Sequence, residues 1–142
     1  MKVEYLNSLV SEEAWRQFYE RLMNKQVMEV LHELFNHIVN TLAQRIDAVK
    51  VDNERAISFF SNDREFLTIN VTRNDLRIYI HPAARTFFDP DAKFQVEKFN
   101  FWKSSYQKAS GKYRAMSVWI LGQEYLQGVK EIIDLIPEAL EV

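Results

Sequence analysis

The sequence predicts an α+β domain: a four-stranded, mainly antiparallel sheet with N-terminal helices and a C-terminal helix packed on one face. Three observations predict it. Apolar residues keep a helical period from Gln26 to Val49, switch to a period of two between Arg55 and His81, and return to the helical period from Gln123 to Ile136. Strands grouped between helices and joined by short turns favour an antiparallel sheet covered by helices.

Ser11 is placed to cap a first helix, with Glu12 and Glu13 beside its positive end. Trp15, Phe18 and Leu22 then share one stripe as far as Met23, and Asn24-Lys25 turns the chain. The second helix, Gln26 to Val49, carries Val27, Val30, Leu31, Leu34, Phe35, Ile38, Val39, Leu42 and Ile46 at helical spacing.

Arg55–Phe60, Glu65–Thr72 and Asp75–His81 read as three strands rich in Ile, Val, Phe, Tyr and Thr. Ser61-Asn62-Asp63-Arg64 and Arg73-Asn74 are turn-type links. With Arg73-Asn74 as a two-residue loop, Val71 faces Leu76, Ile69 faces Ile78 and Leu67 faces Ile80. The other parity pairs Asn70 with Arg77, Thr68 with Tyr79 and Phe66 with His81. One face is then aliphatic and the other mixed, and a one-residue slip would exchange them.

Pro82 closes the third strand. Residues 83–112 form an insert, where Asp89-Pro90-Asp91 resembles a helix cap with proline at the first helical position. A helix is expected there, ended by Ser110-Gly111. Arg114–Leu121 reads as the fourth strand, with Met116, Val118 and Ile120 alternating against Ser117 and Trp119. Gly122 ends it. The last helix runs from Gln123 to Ile136, where Pro137 ends or kinks it. The expected organisation is one domain, 1–142, with a helical N-terminal part, 1–49.

Leu31–Leu42, Ala56–Phe60, Phe66–Val71, Leu76–Ile80 and Val118–Ile133 carry a resemblance. In their order and hydrophobic pattern they resemble the uncharacterised bacterial DUF5655-type domains. The insert here is longer and more aromatic than in that family. The resemblance implies a fold; it brings no activity and no catalytic residue.

Composition excludes several chemistries. The chain has no cysteine, which removes disulfides, Cys-ligated zinc, iron–sulfur clusters and thiol catalysis. Its three glycines, Gly111, Gly122 and Gly128, leave the first 110 residues without a Gly-rich phosphate loop. His32 and His37 are five apart, about 140° around a helix, so they cannot share a metal as an i, i+4 pair does. Asp89 and Asp91 are explained by capping, and no serine sits in a nucleophile elbow. His81, at a strand end, is the better candidate for chemistry. No cofactor, metal or catalytic residue is expected. The longest apolar run, Val118–Leu121, is far short of the roughly 20 residues of a membrane span. Met1 to Tyr5 lacks a signal-type apolar stretch, so a cytoplasmic location without a membrane partner is expected.

The net charge of −2 hides a partition. Residues 1–72 carry −3, residues 73–114 carry +5 and residues 115–142 carry −4. In the basic block Lys93, Lys98, Lys103, Lys108, Lys112 and Arg114 interleave with Phe94, Phe99, Phe101, Trp102, Tyr106 and Tyr113. The candidate binding surface is Phe66, Arg77, Tyr79, His81, Lys98, Trp102, Lys103, Tyr106 and Lys108, with Phe59 on the adjoining sheet face. It predicts a non-catalytic protein-interaction or self-association module, a homodimer among its forms. One alternative is a nucleic-acid accessory using segment 93–114, where cations beside stacking aromatics suit single strands. The other is a small-molecule binder with a pocket between insert and sheet.

Overall fold

Alternation of apolar and polar residues decides how the strands pair. The computed structural model describes residues 2–52, 55–81, 103–107, 112–120, 122–124 and 126–140. Its helices are α1 (Val3–Ser8), α2 (Glu12–Arg21), α3 (Lys25–Leu42) and α4 (Leu126–Leu140). The strands are β1 (Ala48–Asp52), β2 (Ala56–Ser61), β3 (Arg64–Val71), β4 (Leu76–Ile80), β5 (Lys103–Gln107) and β6 (Lys112–Ile120). They form one sheet in the order β1-β2-β3-β4-β6-β5, with every neighbouring pair antiparallel. The fold is α+β, as expected.

Between β3 and β4 the register is the expected one, Val71 with Leu76, Ile69 with Ile78 and Leu67 with Ile80. Thr72 braces this loop. Its hydroxyl donates to Asp75 Oδ1 at 2.6 Å, and the Asp75 N–H donates back to it at 3.0 Å. The loop also anchors the helices, because the Arg73 carbonyl accepts from the Met23 N–H at 2.7 Å and the Val71 carbonyl from Arg21 Nε at 3.0 Å.

Extending the ladder sets Val49 beside Phe59 and Leu67, and Val51 beside Ile57 and Ile69. These residues join the core, and α3 covers them through Val27, Val30, Leu31, Leu34, Phe35, Ile38 and Leu42. The Phe35 and Phe59 rings lie 6.0 Å apart. Helix α4 adds Val129, Ile132, Ile133 and Ile136 to the same core. Lys130 Nζ meets Glu33 Oε1 at 2.6 Å and His37 Nε2 meets Asp134 Oδ1 at 2.8 Å, so α3 and α4 run side by side in parallel. Ser11 caps α2 by accepting from the Ala14 N–H, and Asn24 caps α3 by accepting from the Gln26 N–H.

The structure corrects the sequence reading at three points. The described residues form six strands, two more than expected. Helix α3 stops at Leu42 rather than Val49, and Ala48–Asp52 is the edge strand β1. Ile46 and Val49 prolong the helical spacing, but Val49 and Val51 also alternate with Lys50 and Asp52. Pairing with β2 sets both valines against the core. Lys103–Gln107, inside the segment expected to be helical, is β5, which pairs with β6 and extends the sheet. The rest of the insert, 83–102 and 108–111, lies outside the described residues. Finally, α4 runs through Pro137 to Leu140; so near the C-terminal end, the missing proline N–H costs one hydrogen bond of a short last turn.

The β2–β3 loop makes a local demand on sequence. Asn62 and Asp63 have φ of 52° and 60°, both left-handed, between the paired residues Ser61 and Arg64. Two such residues make the tight turn that matches strand twist, and short polar side chains tolerate it. Asp63→Val should therefore destabilise the fold by about 1–2 kcal/mol, whereas Asp63→Gly should not destabilise it. Urea-unfolding midpoints of the two variants check this; equal losses would refute the turn assignment.

Candidate functional site

Turning the aliphatic residues inward puts their sequence neighbours on the opposite face. Three rows cross that face. The middle row is Lys50, Ser58, Thr68 and Tyr79, which are paired in register. On one side lie Asp52, Ala56, Asn70, Arg77 and Trp119. On the other, Phe60 pairs with Glu65, and the His81 N–H donates to the Phe66 carbonyl at 3.0 Å.

A bulge creates this last row. Phe59 pairs with Leu67 but Phe60 with Glu65, so Phe66 is the extra residue on β3. The extra residue resets the alternation and brings Glu65 beside Thr68. The Thr68 hydroxyl donates to Glu65 Oε1. Its oxygen therefore accepts from His81 Nε2, 2.8 Å away, which assigns the proton of the neutral ring to Nε2 and leaves Nδ1 as the acceptor. His81 Nε2 is also 3.5 Å from Glu65 Oε1, and Ser58 Oγ is 3.5 Å from Thr68 Oγ1. Thr68 is only 7% exposed, so this network satisfies a buried hydroxyl.

The electrostatics follow from the packing. Burial favours the neutral imidazole of His81 and outweighs the pull of Glu65, so this ring titrates below the ordinary histidine range. For Glu65 burial is the largest influence and acts upward. The Thr68 and Ser58 hydroxyls, with His81 and Lys50 nearby, together overcome it and hold the carboxyl below its usual value. At neutral pH the site thus holds a charged carboxylate and a neutral imidazole.

Aromatic and cationic groups flank this network. The Tyr79 and His81 rings stack with centroids 6.4 Å apart and planes 16° from parallel. The Arg77 guanidinium lies 4.1 Å over the Trp119 ring, and its Nε donates to Asp75 Oδ1 at 3.3 Å. Lys50 Nζ sits 4.6 Å over the Phe60 ring. Trp119 is 43% exposed.

Among the expected site residues, the structure brings Arg77, Tyr79 and His81 together on this face. It removes two. Phe66 is fully buried in the core cluster, and Phe59 faces the core between Val49 and Leu67. Lys103 and Tyr106 lie on β5 at register positions opposite Ser117 and Tyr113. Lys98, Trp102 and Lys108 lie outside the described residues, so the pocket between insert and sheet does too. Sequence reasoning missed Lys50, Glu65, Thr68 and Trp119 as site residues. Trp119 was accessible through its alternation against Val118 and Ile120; Glu65 was not, because its place depends on the bulge. The two helical histidines diverge as expected. His32 packs against Trp15 with centroids 4.5 Å apart, while His37 meets Asp134.

Among the described residues no three His, Cys, Asp or Glu side chains are grouped to hold a metal ion. Among them, too, no helix is long and apolar enough to cross a membrane. Comparison with protein-family models, curated proteins and solved structures finds no match.

Burial also lowers the His32 titration, so His32 and His81 act with the same sign on stability. Below about pH 6.5 the unfolded chain takes up protons that these two rings refuse in the folded state. Their contribution is complete above that pH and is lost as pH falls toward their folded values. Lowering the pH from about 7 to about 5 should therefore lower the urea midpoint. Part of that loss should vanish in His81→Gln, whose amide still donates to Thr68, and part in His32→Gln. A pH slope unchanged in both variants would refute the assignment.

Proposed function

We propose that the chain is a protein-interaction module whose recognition surface is the mixed face of its sheet. The observation that carries this reading is the pairing of Arg77 over the exposed Trp119 beside the stacked Tyr79 and His81. Tryptophan, tyrosine and arginine offer wide contact area, and they dominate the energetics of protein interfaces. Here their neighbours hold them in place. Asp75 and the Trp119 ring restrain Arg77, and His81, itself tied to Thr68, supports Tyr79. Less side-chain entropy is then lost on binding.

The same face supports a protein partner over a nucleic acid. Glu65 and Asp52 place carboxylates among its cations, and a phosphate backbone would meet them unfavourably. The basic segment 93–114 would have to supply the binding, and Lys98, Trp102 and Lys108 lie outside the described residues. The resemblance to DUF5655-type domains belongs to this proposal as a likeness of fold, and it brings no activity with it.

Hydroxyl-radical footprinting tests the reading. In cells making the chain, Trp119 and Tyr79 should lose most of the reactivity they show in dilute purified protein. Tyr19, half exposed on α2, should react equally in both and serves as the reference. Equal reactivity of Trp119 in the two settings would overturn the proposal.

A further inference from the structure

We infer that the partner on this face is a second copy of the same chain, the two sheets meeting about a two-fold axis that lies along the row Lys50, Ser58, Thr68 and Tyr79. The inference rests on the interaction reading above and names its partner. It is carried by the arrangement of charge. The row with Arg77 and Trp119 lies on one side of the middle row, and the row with Phe60, Glu65 and His81 lies on the other.

A two-fold axis along the middle row exchanges the outer rows. Arg77 of one copy then faces Glu65 and His81 of the other, and the contact is made twice, as an isologous interface requires. The chemistry fits at both ends. Asp75 occupies Arg77 Nε, and among the described residues nothing takes up the two terminal guanidinium nitrogens, which can donate. Opposite them stand two acceptors, the ionised Glu65 carboxylate and Nδ1 of the neutral His81. Lys50, which leans over Phe60 and so away from the axis, comes to face Asp52 of the other copy. Tyr79, on the axis, supplies apolar contact between the two Arg77 pairs, and Trp119, one strand further out on β6, flanks them.

Partners of a single charge sign fit less well. An acidic peptide would satisfy Arg77 and Lys50 but would be repelled by Glu65 and Asp52, and a basic peptide meets the reverse. A second copy brings both signs in the right places. The net charge of −2 on each copy opposes approach only weakly, because salt screens it beyond about 10 Å.

Sedimentation velocity from about 1 μM to about 100 μM tests the inference through complementary charge reversal. The unmodified chain should dimerise in this range. Arg77→Glu and Glu65→Lys should each weaken self-association by about tenfold or more, since every two-fold pair would hold two like-charge contacts. An equimolar mixture of the two variants should restore the dimer, because each contact in the mixed pair again joins opposite charges. Lys50→Glu with Asp52→Lys provides a second such pair should Glu65→Lys fail to fold, which circular dichroism reports. A chain that stays monomeric throughout, a dimer indifferent to these reversals, or mixing that restores nothing would each overturn the second copy. If Trp119 is protected in cells while the purified chain is monomeric, the interaction reading survives and only this partner fails. If Trp119 is unprotected as well, both fail.

Discussion

The register of β3 between β2 and β4 is the constraint on which the rest depends. Ile69 lies between Ile57 and Ile78, and Leu67 between Phe59 and Ile80. Each of these side chains is fully buried. Sliding β3 by one residue would turn Thr68 and Asn70 into the apolar layer and expose Leu67 and Ile69. Burying a large aliphatic side chain is worth about 1.5–3 kcal/mol, so a slip would cost more than a domain of this size can spare. The helices respond to the layer that this register creates. Helix α3 lays its apolar stripe along it, and α4 lies parallel to α3 with its own stripe in the same core.

The constraint that builds the core also builds the opposite face. Strict alternation along β3 would have sent Phe66 toward the polar side and Glu65 toward the core. The bulge between Phe59 and Phe60 inserts one residue and reverses that assignment. Phe66 joins the core, and Glu65 reaches the Thr68 hydroxyl, which in turn orients His81. The polar network therefore depends on a local irregularity in an otherwise regular ladder. Bulges re-aim side chains in this way wherever they interrupt pairing.

These two facts explain which parts of the molecule were legible in the sequence. The β3–β4 hairpin could be read residue by residue, because a two-residue loop and a period of two admit only one segregated register. The core stripe of α3 was equally plain over Val27 to Leu42. Its end was not, since Ile46 and Val49 continue the helical spacing while Val49 and Val51 also alternate; the pairing with β2 that decides between them is a long-range contact. Strand β5 failed for the same reason. Nothing within Lys103–Gln107 announces that β6 lies alongside. Of the candidate site, Arg77, Tyr79 and His81 followed from parity on β4. Phe59 was misplaced because its face is set by Val49 and Leu67, on strands whose pairing with β2 parity on β4 alone does not give.

The mixed face separates its charges along the strands rather than across them. Arg77 and His81 are four residues apart on or just after β4, with Tyr79 between them. An extended chain separates positions i and i+4 by about 13 Å, so the guanidinium and the Glu65–His81 pair are too far apart to neutralise one another within one chain. Each instead has a local stabiliser, Asp75 for Arg77 and Thr68 for His81, that fixes its direction without using its whole bonding capacity. Groups that are held in place yet keep donors or acceptors in reserve lose little entropy on meeting a complementary surface. Since cation and acceptors stand on opposite sides of one row, the simplest complementary surface is the same face turned about that row.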